Sequence, residues 1–211
     1  IDRRKFRQAA QNAYYDDHGP FTGEVSFSML HDLVHYSLVG HSERRVKFNE
    51  SLDDVRKKVA SAFRNGVTPI LCIGEQKDEH LRLETKQVVH DQLSSALLDV
   101  TPEEVAEMVI AYEPVWAISN GNDYHGHDIA TPDDAKEMAT YIRHQIESTF
   151  GKYAANSVRI LYGASVNSEN ARAFLDADGI DGVLVGGASL NYHEFSGIVN
   201  AAYRSLHGIG V

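Results

Sequence analysis

The strongest constraint on this chain is a unit that recurs about six times. A short apolar run ends in a polar or glycine-bearing turn, and an amphipathic segment follows. The apolar runs fall at residues 6–12, 36–40, 68–73, 109–113, 159–162 and 182–185. Helical segments are expected at 26–33, 52–65, 79–98, a short stretch after 101, 131–150, 167–175 and 192–206. In 52–65, Leu52, Val55, Val59, Ala62 and Phe63 recur at three- and four-residue spacing. Asn65-Gly66 then supplies residues that tolerate the left-handed backbone after a helix. Thr101-Pro102-Glu103-Glu104 and Thr131-Pro132-Asp133-Asp134 each offer a capping hydroxyl, a first-turn proline and early acids. The apolar runs lack strict period-two alternation, as strands buried on both faces of a parallel sheet do. The expected class is therefore α/β with parallel strands. This pattern alone fits a closed barrel or an open doubly wound sheet. The absence of Gly-x-Gly-x-x-Gly after the first run weighs against dinucleotide binding.

Composition narrows the function. A chain of 211 residues, 43% hydrophobic, suits one domain over 1–211 with a core that needs no staples. Cys72 is the single cysteine, so no internal disulfide is possible, and a reducing compartment, the cytoplasm, is expected. A formal charge of −10 disfavours nucleic acid or an anionic membrane as partner. No apolar run approaches the roughly 20 residues of a membrane-spanning helix. Neither His-Glu-x-x-His nor paired-cysteine spacing occurs, so no metal site is expected. His125 and His127, two apart in the long loop, are expected to be solvated.

The polar residues gather just after the apolar runs. Gly40-His41-Ser42-Glu43-Arg44-Arg45 follows the second, Gly74-Glu75 the third, and Glu113 ends the fourth. Gly163-Ala164-Ser165 and Gly186-Gly187 follow the last two. In parallel α/β folds the C-terminal strand ends face the active site. Backbone N–H groups at the helix starts that follow the Ser165 and Gly186-Gly187 turns suit an anion, although either glycine turn is also explained by tight chain reversal. Glu113 fits a structural ion pair or a tuned proton-abstracting base. His41 fits a satisfied core histidine or a proton donor to a carbonyl oxygen. Glu43 and Arg44 are most simply read as a structural ion pair.

Seven blocks in order closely resemble the triosephosphate isomerase family. They are Ala10-Gln11-Asn12, Phe21-Thr22-Gly23-Glu24, the Gly40 to Arg45 block, Cys72-Ile73-Gly74-Glu75, Ala111-Tyr112-Glu113-Pro114-Val115-Trp116-Ala117-Ile118, Tyr162-Gly163-Ala164-Ser165-Val166, and the stretch 181–190. The resemblance implies a TIM-barrel scaffold, no cofactor, and interconversion of dihydroxyacetone phosphate and glyceraldehyde 3-phosphate through an enediolate. It aligns Glu113 with the catalytic base and His41 with the neutral electrophile, roles that belong to this family's own well-known mechanism. Glu43 aligns with a carboxylate beside the site. Ser119, Ser165, Gly186 and Gly187 align with the phosphate-binding positions. Pro114, Val115, Trp116, Ala117 and Ile118 align with the moving lid. Asn12, Phe21, Thr22, Gly23 and Glu24 align with the dimer loop.

Three departures carry expectations of their own. The match begins at the family's third strand, so about six of the usual eight βα units are expected, in an incomplete or remodelled barrel. No residue matches the family's N-terminal Asn-x-Lys lysine, so impaired turnover is expected. A non-catalytic phosphate-ligand binder or assembly subunit, or a piece of a longer enzyme, are the competing readings. The lid is longer, with Ser119 in place of a glycine and an insertion over 119–129. Ala164 replaces a glycine, which matters only where positive φ is needed. Open sheet edges lead to an expected homo-oligomer with a non-standard interface.

Overall fold

The structure is a computed structural model that describes residues 6–118 and 130–209. Six parallel strands form one sheet in sequential order: β1 (Ala9–Ala10), β2 (Tyr36–Val39), β3 (Thr68–Ile73), β4 (Val109–Tyr112), β5 (Arg159–Tyr162) and β6 (Gly182–Val183). Among the described residues, β1 pairs only with β2 and β6 only with β5. The sheet is thus a curled half-barrel with two free edges. The helices are α1 (Phe27–Leu30), α2 (Ser42–Lys47), α3 (Leu52–Arg64), α4 (Lys77–Leu81), α5 (Thr85–Ala96), α6 (Pro102–Glu107), α7 (Pro132–Ser157), α8 (Ala171–Leu175) and α9 (Tyr192–Leu206). No helix among the described residues is long and apolar enough to cross a membrane.

The helix starts follow the expected chemistry. Thr101 and Thr131 each accept an N–H three residues on, and Glu104 and Asp134 return the bond to the cap N–H. Ser51 and Asp54 do the same for α3. Gly66 takes a φ of 69° and ends α3 as expected.

Other boundaries differ. The edge runs expected at 6–12 and 182–185 shrink to two residues each, since only one neighbour supplies ladder bonds there. The helix expected over 79–98 is two, α4 and α5, separated by Leu83 at φ 61°. Leu83 is almost wholly exposed, so no packing favours a continuous helix through it. α7 continues past 150, with a break at Gly151, whose φ is 85°.

Burial on both faces holds along all of β4, where all four residues are buried, and at the Leu71 to Ile73 end of β3. Elsewhere one face is dry. Val39, Leu71, Ile73, Ile110, Tyr112, Ile160 and Tyr162 share the helix-facing side and join Val55, Val59, Val89, Ile142 and Ile146 in the core. The opposite, concave residues Tyr36, Leu38, Ile70 and Leu161 are only half-buried. The expected two-sided burial fails on the flanking strands because the half-barrel leaves their concave face partly open.

Candidate active site

Glu113 emerges from β4, the most buried strand, and is fully buried itself. Its backbone N–H donates to the Ile73 carbonyl at 2.7 Å, continuing the β3–β4 ladder one step. Two glycines make room for it. A Cβ at Gly74 would stand 1.9 Å from the Glu113 carbonyl oxygen, and one at Gly163 would stand 2.9 Å from its Cγ. A side chain at Gly74 would push on the Glu113 backbone, and one at Gly163 on its side chain.

The carboxylate meets the start of α2. The Ser42 backbone N–H donates to Glu113 Oε2 at 3.3 Å. His41 Nε2 lies 3.2 Å from Oε1. That contact lacks hydrogen-bond alignment, so Oε1 is buried without a hydrogen-bond partner. Burial pushes the Glu113 carboxyl above its ordinary value. His41, the Ser42 N–H, Arg45 and the Cys72 thiol pull the other way without cancelling it. The histidine's tautomer follows from its other nitrogen. His41 caps α2, and its Nδ1 accepts the Glu43 N–H at 3.3 Å, which leaves Nε2 to carry the proton. His41 therefore keeps a donor nitrogen beside a buried carboxylate with an unused lone pair.

Arg45 and Cys72 have no role that the sequence alone assigns. Arg45 donates to the Cys72 and Gly74 carbonyls at 3.4 and 3.2 Å, and its positive charge lies near Glu113. Cys72 is buried, and burial with the Glu113 charge beside it holds the thiol well above its ordinary value. An inward-facing residue one strand over from a candidate base was the available signal.

The remaining candidates spread outward. Glu43 is mostly exposed and pairs with Lys47 at 3.3 Å. Arg44 pairs instead with Glu50 at 2.5 Å, so the expected Glu43–Arg44 pair does not form, because helical geometry points consecutive residues apart. Ser165 Oγ donates to the Ala117 carbonyl at 2.8 Å, tying that turn to the segment after Glu113. Gly186 and Gly187 are exposed at the start of a 3₁₀ turn, Gly187–Leu190, with open space where a Cβ would stand. Ala164 is buried and is not among the residues with positive φ, so its methyl is accommodated. Pro114 leads into a second 3₁₀ turn, Val115–Ala117, and Ile118 follows it. Ser119 and the insertion 119–129, with His125 and His127, lie outside the described residues. In the loop after β1, Asn12 Oδ1 accepts from Lys58 Nζ at 2.7 Å, and Phe21 leans on Tyr14 at 4.7 Å. Thr22, Gly23 and Glu24 are exposed at its tip. Among the described residues no group of three or more His, Cys, Asp or Glu is placed to hold a metal ion.

A sequence model of triosephosphate isomerase matches residues 1–202. The chain belongs to the triosephosphate isomerase family. A triosephosphate isomerase of Streptococcus suis (strain 05ZYH33) is 43% identical over 197 residues, covering 93% of this chain and 76% of that protein. One of Carboxydothermus hydrogenoformans is 45% identical over 194 residues, covering 92% and 75%. One of Chloroherpeton thalassium is 42% identical over 203 residues, covering 96% and 78%. The half-barrel, with its parallel sequential strands and outer helices, is the architecture this family builds from βα units.

Proposed function

We propose that this chain interconverts dihydroxyacetone phosphate and glyceraldehyde 3-phosphate, with Glu113 moving the proton and His41 donating to the substrate oxygen. The observation that carries this reading is the pair itself: a fully buried carboxylate with raised proton affinity, 3.2 Å from a histidine nitrogen that holds a proton. A carboxyl raised toward neutrality is a stronger base than a solvated one. Donors aimed at a developing enediolate oxygen stabilise charge as it forms. Gly186, Gly187 and Ser165 sit after the two strands that follow β4, and the exposed backbone at Gly186 and Gly187 suits the substrate phosphate; Ser119 would complete that grip. Glu43, exposed in the free protein, would act only by reorienting toward the site.

No Asn-x-Lys occurs in the 211 residues. A missing positioned cation at an oxyanion costs about 3–4 kcal/mol by analogy with a lost oxyanion donor, or about 10²–10³ in turnover. A coupled isomerase assay on the 211-residue protein should therefore show activity above background but below that of a relative assayed alongside. Turnover indistinguishable from buffer would overturn the catalytic reading. Heat released on titrating a phosphorylated triose analogue into such an inactive protein would leave a phosphate-ligand binder.

The reading extends to assembly. Among the described residues β1 and β6 each pair on one side only, and Phe195, Val199, Tyr203 and Leu206 form an exposed stripe along α9. Self-association through these edges, rather than through residues 12 and 21–24 alone, is expected. Light scattering at micromolar concentration should report a species above the monomer mass; a monodisperse monomer sinks this expectation. The single buried cysteine suits a reducing compartment such as the cytoplasm.

A further inference from the structure

The two strands beside β3 leave it at different heights. β2 keeps register with β3 only as far as Val39, opposite Leu71. β4 runs on to Tyr112, opposite Ile73, and the Glu113 N–H bond to the Ile73 carbonyl carries that seam one step further. On its β2 side, the chain from Cys72 to Gly74 therefore continues past the end of its strand neighbour. Backbone groups at such a place need other partners.

Two side chains take the place of the strand. Arg45 donates to the Cys72 and Gly74 carbonyls at 3.4 and 3.2 Å. Gln92 of α5 does more. Its Oε1 accepts the Gly74 N–H at 2.7 Å, and its Nε2 donates to the Gly74 carbonyl at 3.1 Å. A carboxamide carries the same donor and acceptor as a peptide unit, so this two-way pair copies the bonds of one residue in a ladder. The helix delivers it by spacing. Val89, Leu93 and Ala96 are the buried residues of α5, and Gln92 lies three after the first and four before the last, on the same stripe.

Gly74 in turn bears on the candidate base. Its backbone lies so close to Glu113 that a Cβ there would stand 1.9 Å from the Glu113 carbonyl oxygen. Slack at Gly74 would pass directly to the Glu113 peptide. The hydrogen bonds of the Gln92 side chain go to Gly74 rather than to Glu113, so any effect on the carboxylate is transmitted through this backbone contact.

We propose that Gln92 is a positioning residue for Glu113: its carboxamide stands in for a strand beside Gly74 and holds that backbone against the base. The base role itself rests on the proposed isomerase reading, so the test has one arm that needs no activity.

Gln92→Met keeps the length and apolar stem and removes both bonds, so a packing role alone predicts wild-type behaviour. Gln92→Leu is the second variant, should the first fail to fold by circular dichroism. In carbon-13 spectra of glutamate-labelled protein, Glu113→Gln identifies the Glu113 signal by its loss. The wild-type carboxyl should titrate above 4.5, as its burial requires. In the Gln92 variants the midpoint should move down toward 4.5, because a slackened turn lets water reach the carboxylate. His41, Arg45 and Cys72, the titratable groups around that carboxylate, are the same in all these proteins. In the kinetic arm, the variants should lower kcat by about tenfold with KM changed less than twofold, because the base is misplaced rather than the substrate released. A midpoint or a kcat that stays at the wild-type value in a folded variant overturns the proposal, and so does a wild-type midpoint at 4.5. A wild type without isomerase activity counts against the proposed function and not against the role of Gln92, which the titration then decides by itself.

Discussion

Glu113→Gln should lower turnover by about 10²–10⁴-fold, the usual contribution of a positioned general base, and should raise the melting temperature in the same variant. The two effects share one cause. The carboxyl is fully buried, one of its oxygens has no hydrogen-bond partner, and burial raises its proton affinity despite His41, Ser42 and Arg45 nearby. Below the ordinary value of 4.5, folded and unfolded chains are both protonated there and burial costs nothing. As pH rises through 4.5 the unfolded chain ionises freely while the folded one resists. Stability is lost across that window, up to the raised folded value, and the loss then stays constant. Glutamine has nearly the same shape and no charge, so it escapes the cost. Each kcal/mol recovered is worth about 2–4 °C for a chain of this size. Calorimetry of both proteins should show the difference at pH 7 and its disappearance toward pH 4. A variant that melts below the wild type at pH 7 would show that the ionised carboxylate is a net stabiliser.

The second large effect lies away from the chemistry. Lys58→Ala should destabilise the chain by about 3 kcal/mol or more, because removing one partner strands a buried charge. Lys58 is only 3% exposed, and its Nζ donates to Glu50 Oε2 at 2.6 Å and Asn12 Oδ1 at 2.7 Å. Arg44 Nε donates to the same Glu50 oxygen at 2.5 Å, so one cation would remain, which keeps the cost toward the lower end. Glu50 Oε1 already lacks a hydrogen-bond partner and offers no compensation. The lost bond to Asn12 would also untie the start of the loop that carries Phe21 and Glu24. Urea unfolding measures the change. A loss below about 1 kcal/mol would place this network with exposed surface pairs, whose typical worth is that small.

How far the sequence could be read depends on the distance over which each feature is decided. The caps at Ser51, Thr101 and Thr131 involve residues three apart, and all appear where the local pattern places them. The division of 79–98 into two helices turns on Leu83, a residue with no local signal for positive φ. Apolar content at 36–40 and 159–162 suggested two buried faces, yet residues 36, 38 and 161 are half-buried because a curled, open sheet shields only its helix-facing side fully. Adjacency in sequence does not make Glu43 and Arg44 a pair: the helix sends the two side chains to Lys47 and Glu50.

The site divides in the same way. Order and identity of the blocks placed the chain in its family and singled out Glu113 and His41, since residue types at successive strand ends are written in the chain itself. The burial of Glu113, its Ser42 N–H contact across 71 residues, and its neighbours Arg45 and Cys72 were decided only when β2, β3 and β4 lay side by side in register. Proton affinity depends on desolvation and on charges within a few ångströms, and both belong to the packed strands rather than to the residue's own stretch of sequence.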